Sequence, residues 1–120
     1  MKVLVVDDSK AMRMIVTRTL KQTDFADAEV VQAEDGVEAL EKVKQEGPFS
    51  LILSDWNMPN MDGLQFLKEV RALGVDTTFG FITTESTGAR RLEAIKAGAD
   101  FTIGKPFTAD GFKEIMATLD

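Results

Sequence analysis

The chain has 120 residues, 44% of them hydrophobic and 28% charged, which suits one soluble domain with a single core. Twenty acidic residues against fourteen basic ones leave a net charge of −6, the wrong sign for a protein that grips nucleic-acid phosphates. With no Cys and no His, disulfides, thiolate or imidazole metal sites, cysteine nucleophiles and histidine acid–base chemistry are excluded. The same lack of His excludes a phosphohistidine carrier. What remains is chemistry by carboxylates, hydroxyls, Lys or Arg, with an oxygen-ligated metal as a further option.

The first apolar run, Val3 to Val6, stops at Asp7-Asp8. It is too short for a signal peptide, and no stretch nears the ~20 apolar residues that span a bilayer. The expectation is a cytoplasmic monomer, one domain over 1–120 with no output domain, and without membrane or nucleic-acid partners.

In chain order, the first predicted strand is Lys2–Val6, followed by a helix from about Ser9 to Gln22 with Met12, Ile15, Val16, Thr19 and Leu20 on one face. Glu29–Ala33 reads as a weaker strand nearer an edge, and Val37, Leu40 and Val43 set the period of a helix from Gly36 to Gln45. Leu51–Ser54 is the third strand, and Asp62 is placed as N-cap of a helix carrying Leu64, Leu67 and Val70. Thr78–Ile82 precedes a helix marked by Leu92, Ile95 and Ala99. Phe101–Gly104 precedes the last helix, with its stripe of Phe112, Ile115, Met116 and Leu119. Gly47-Pro48, Pro59, Gly63, Gly74, Gly98 and Pro106 fall between elements. Strands this short and this continuously apolar are buried on both faces. Five alternations of strand and helix predict an α/β fold, a doubly wound five-stranded parallel sheet with helices on both faces.

Open parallel sheets bind ligands outside the carboxyl ends of their strands. Those ends carry Asp7-Asp8, then Asp55 with Trp56 and Asn57, then Thr83, Thr84 and Glu85, then Lys105-Pro106. Three carboxylates on one rim need a counter-charge. With neither His nor Cys available, Mg²⁺ is the fitting cation, since it takes oxygen ligands and keeps its waters. A plainer reading makes Asp7-Asp8 the cap of the first helix, Asp55 a turn residue and Lys105 a solvated charge. The third carboxylate and the lysine, on separate strands of the same rim, favour the metal site. A divalent ion, a lysine and a hydroxyl around one carboxylate are what phosphoryl transfer to an aspartate requires. Asp55, on the central strand, is the expected nucleophile, with Asp7 and Asp8 holding the metal.

Asp7-Asp8, Asp55, Thr83 and Lys105-Pro106, each after its strand, resemble the receiver domain of two-component response regulators over essentially the whole chain. The run from Ser54 to Leu64 and the segment Glu34-Asp35-Gly36-Val37 are similar to chemotaxis regulators of the CheY type. The resemblance implies a flavodoxin-like (CheY-like) fold with strand order 2-1-3-4-5. It implies a stand-alone response regulator of chemotaxis, with self-catalysed phosphorylation and dephosphorylation and no separate enzyme activity. Asp55 accepts a phosphoryl group from the phosphohistidine of a sensor histidine kinase (CheA-like). Asp8 and Asp55 ligate Mg²⁺ by side chain, Asn57 by its carbonyl and Asp7 through water. Lys105 pairs with the phosphoryl group and Thr83 swings towards it. Asn57 and Glu85 stand where the family tunes attack by water.

Output is expected at a face made of the fourth helix (Thr87 to Lys96), Phe101–Gly104 and Thr108 to Thr118, where an effector protein binds. Gly88 eases rearrangement there, and Arg90 and Arg91 are exposed candidates for contact. Two departures bear on that face: Thr102 replaces the aromatic usual three positions before the lysine, and Gly104 replaces an apolar residue. Three rivals are weighed. A small aspartyl-phosphate phosphatase would want a carboxylate at Asn57. A flavin carrier would want a Ser/Thr/Gly-rich loop where Asp7-Asp8 stands. A phosphate sink for a kinase would share the chemistry without an effector.

Overall fold

The computed structural model describes residues 1–119. Its elements alternate as expected: β1 (Lys2–Val6), α1 (Lys10–Leu20), β2 (Glu29–Ala33), α2 (Gly36–Glu46), β3 (Leu51–Ser54), α3 (Gly63–Ala72), β4 (Thr78–Thr83), α4 (Gly88–Ala97), β5 (Phe101–Gly104) and α5 (Ala109–Ala117). The strands form one parallel sheet in the order β2-β1-β3-β4-β5. The order reverses between β1 and β3, which places a crevice at their carboxyl ends.

Side chains alternate across the sheet. Leu4 and Val6 join Ala39, Val43, Phe66, Leu67, Val70 and Ala94 in a core beneath α2, α3 and α4. Val3 and Val5 join Val16, Leu20, Phe112 and Met116 beneath α1 and α5. β1 and β3 are buried along almost their whole length, whereas β2 exposes Glu29 and Gln32, in keeping with its place at the edge. Each helix begins at a side-chain cap: Ser9, Asp35, Asp62, Thr87 and Thr108 each accept a hydrogen bond from a backbone N–H of the first turn.

Several sequence expectations need correction. The cap of α1 is Ser9, and Asp7 accepts a hydrogen bond from the Ser9 N–H at 2.9 Å; Asp7-Asp8 is therefore left for the rim. Strand β4 runs one residue further than expected and ends with Thr83 inside the ladder. The stripes drawn for α1, α2 and α4 are not wholly buried, since Ile15, Val37, Leu92 and Ile95 are exposed. In α1 the buried line includes Arg13 in their stead. In α4 only Ala94 is buried among the described residues. The Gly47-Pro48 and Lys105-Pro106 bonds are both cis.

Asp35 ties α2 to the loop that leaves β3. One carboxylate oxygen accepts from the Glu38 N–H at 2.8 Å and the other from the Asn60 amide at 2.7 Å. Asn60 sits at φ 68°, a left-handed position that Asn tolerates better than most residues. The Glu38 N–H and the Asn60 amide hold the Asp35 carboxyl below its ordinary value, against a smaller opposing effect of burial. A depressed carboxylate stabilises the fold above its ordinary range and loses that contribution as pH falls through the folded value. Asp35→Ala is expected to cost about 1 kcal/mol near neutrality, the worth of an N-cap. The deficit should fade below about pH 4 as the unfolded chain protonates. Urea unfolding of both proteins at neutral and acid pH checks this; an equal deficit at both would assign the loss to packing.

Candidate phosphorylation site

The ladder continues past the strand ends and sets the rim residues in place. The Asp55 N–H donates to Val6 O at 2.9 Å, the Asp7 N–H to Ala33 O at 3.1 Å and the Lys105 N–H to Thr83 O at 2.9 Å. The three side chains then converge. Lys105 Nζ lies 2.8 Å from Asp7 Oδ2 and 3.1 Å from Asp55 Oδ2, and only 14% of its side chain is exposed. Carboxylate oxygens of Asp7, Asp8 and Asp55 all lie within 4.8 Å of one another.

Burial pushes the Lys105 ammonium down. The hydrogen bond to Asp7 and the charges of Asp55 and Asp7 outweigh that effect, so it sits above the ordinary lysine value. It is charged throughout the neutral range and draws the two acids together. Against three carboxylates it still leaves the cluster with two uncompensated negative charges. The donor set is all oxygen and opens to solvent at Asp8. A hard divalent ion fits both the charge and the ligand type; Asp7, Asp8 and Asp55 are the side chains that would hold it.

Asp55 is braced from behind. Its Oδ1 accepts from the Trp56 N–H at 2.7 Å, and its carbonyl accepts from the Ser54 hydroxyl. The Gly63 N–H closes the turn onto Trp56 O at 2.7 Å. A β-carbon at Gly63 would run into the Asp55 carbonyl and the Phe81 ring, so this close approach needs glycine. Below it the Trp56 ring packs on Phe81, Phe81 on Phe79 and Phe79 on Phe66, with centroids 4.9, 5.2 and 5.6 Å apart. Each such pair contributes about 0.5–1.5 kcal/mol beyond its burial. The nucleophile candidate thus stands on a stiff aromatic column.

Thr83 is fully buried, and its Oγ1 accepts from the Glu85 N–H at 3.1 Å. Asn57 is exposed, and its amide donates to Glu85 Oε1 at 3.1 Å. The sequence reading missed Arg13. Its guanidinium is almost wholly buried, donating to the Asp7 carbonyl at 2.6 Å and to Gln32 Oε1 at 2.9 Å. It props the peptide that carries Asp7 and Asp8. The one signal for it was its spacing, since Arg13, Val16 and Leu20 follow the helical stripe. Arg90, expected only as an exposed candidate for partner contact, also lies over the Trp56 ring at 5.3 Å and beside Glu85.

The sequence matches the response regulator receiver domain model over residues 3–117. It is 44% identical over 119 residues to chemotaxis protein CheY1 of Helicobacter pylori, covering 95% of this chain and 92% of that protein. It is 42% identical over 116 residues to the CheY homolog of Campylobacter jejuni, covering 95% and 88%. Among solved structures, Vibrio cholerae CheY4 superposes with a TM-score of 0.87 at 37% identity, covering 99% of this chain and 98% of that one. A match of this extent, on a fold whose rim holds the expected acids and lysine, places the chain in the response regulator receiver domain family.

Proposed function

We propose that this chain is a single receiver domain that takes a phosphoryl group onto Asp55 from the phosphohistidine of a CheA-like sensor histidine kinase. Its setting is chemotaxis, which rests on the likeness to CheY proteins of other bacteria. The observation that carries the reading is one ammonium, Lys105, shared between Asp7 and Asp55 inside a three-acid cluster. Mg²⁺ is the proposed cation; Asp8, Asp55 and the Asn57 carbonyl would hold it directly and Asp7 through water. When bound, it neutralises the acids and the incoming phosphoryl oxygens. The Asp55 carboxylate attacks phosphorus. The new P–O bond forms as the donor's P–N bond breaks, and the electron pair goes to the imidazole nitrogen, which takes its proton from solvent. Lys105 gives up part of its pairing with Asp55 to hold a phosphoryl oxygen. Thr83 releases the Glu85 N–H and turns its hydroxyl to the same group. The altered α4–β5–α5 face then binds an effector protein.

The test uses Trp56, whose backbone N–H is bonded to Asp55. Titrating Mg²⁺ into the protein is expected to change Trp56 emission saturably, and acetyl phosphate is expected to phosphorylate the chain only when Mg²⁺ is present. Phosphoryl uptake undiminished by a chelator would overturn the metal-dependent reading.

A further inference from the structure

Helix α4 buries fewer residues than any other helix described. Among the described residues it buries only Ala94, and Leu92 and Ile95 face outward. Its first residue, Gly88, has open space where a β-carbon would stand. Yet one residue of its first turn reaches the phosphorylation rim at several points. Arg90 Nε lies 3.6 Å from Glu85 Oε2, while the other Glu85 oxygen accepts from the Asn57 amide at 3.1 Å. The Arg90 guanidinium lies over the Trp56 ring at 5.3 Å and donates to Glu93 at 3.1 Å. Asn57 and Trp56 are the two residues after Asp55, and Glu85 is bonded through its N–H to the Thr83 hydroxyl.

We propose that Arg90 is a positioning residue that straps the mouth of the phosphorylation site to α4. It acts through Glu85: it neutralises that carboxylate and keeps it bonded to Asn57, across the approach to Asp55. The strap has a second use. When Thr83 turns towards a phosphoryl group it must release the Glu85 N–H, while the Glu85 side chain stays held by Arg90 and Asn57, so a shift of the Glu85 backbone carries the start of α4 with it. Room for that shift exists, because Thr102 and Gly104 leave a groove of about 390 Å³ beside Ser86 and Arg91. Gly104 is the residue that admits Ser86, since a β-carbon there would press on the Ser86 side chain at 3.2 Å. The inference rests on the reading of Asp55 as phosphoryl acceptor.

The test is the lifetime of the phosphorylated protein after acetyl phosphate is removed, together with Trp56 emission. Arg90→Ala is expected to shorten the lifetime by a factor of about three to ten, the range of a coupled polar contact. Emission of the unphosphorylated protein should shift as the cation leaves the ring. Arg90→Lys should restore the lifetime in part. In a Glu85→Ala background, Arg90→Ala should change the lifetime no further. Arg90 is half-exposed, so thermal unfolding should be little altered. An unchanged lifetime in Arg90→Ala, or an equal effect with and without Glu85, overturns the strap and leaves the receiver reading intact. A wild type that takes up no phosphoryl group overturns both.

Discussion

Asp55→Asn is expected to abolish phosphoryl uptake from acetyl phosphate in Mg²⁺, while the wild type gains one group by mass. The substitution is nearly isosteric. Asn can still accept the Trp56 N–H that now goes to Asp55 Oδ1, and the turn closed by Gly63 is untouched. The loss is then chemical, because an amide oxygen lacks the charge to attack phosphorus. Intact-mass measurement of both proteins under the same conditions decides the matter. Equal labelling of the variant would move the acceptor to another carboxylate of the cluster, with Asp8 the most accessible.

The second large effect is expected from Lys105→Met. The methionine keeps much of the apolar length but removes the ammonium held between Asp7 and Asp55. Two mostly buried carboxylates then face each other without compensation, at a cost of about 3 kcal/mol. A divalent ion can supply part of the missing charge, so Mg²⁺ should narrow the gap between variant and wild type. Urea unfolding with and without Mg²⁺ measures both terms. Because the Lys105 value is raised in the fold, its contribution is complete at neutral pH and is lost only as pH climbs through that raised value. Phosphoryl uptake should fall by about a hundred-fold, the usual result of deleting one charge-stabilising donor. Stability and uptake both equal to wild type would show that the ammonium is a bystander.

The central strands β1, β3 and β4 were legible because each is a short, mostly apolar run that suits burial on both faces, whereas the edge strand β2, with Glu29 and Gln32 exposed, was the weaker signal. Alternation then fixed the sheet type, and the polar residues at Asp7, Asp55 and Lys105 could be assigned to one rim before any coordinates. The faces of the helices were less legible. Periodicity locates a stripe but not which of its edges a neighbour covers, so Ile15, Leu92 and Ile95 were drawn inward and are exposed. Arg13 was hidden because its main partner is the Asp7 carbonyl, and backbone acceptors leave no mark in a sequence. The Arg90 link was hidden for a different reason. Its partner Glu85 precedes the helix, five residues away, outside the i, i+3 and i, i+4 spacings by which helical ion pairs are found.

The turn at Gly63 has a consequence for where signalling energy can go. On that side of Asp55 the backbone has no slack, since not even a methyl group fits between α3 and the Asp55 carbonyl. An approach of α3 towards Asp55 is therefore sterically closed on that side. The proposed response of the α4–β5–α5 face lies on the opposite flank, where β4 gives way to a sparsely buried helix.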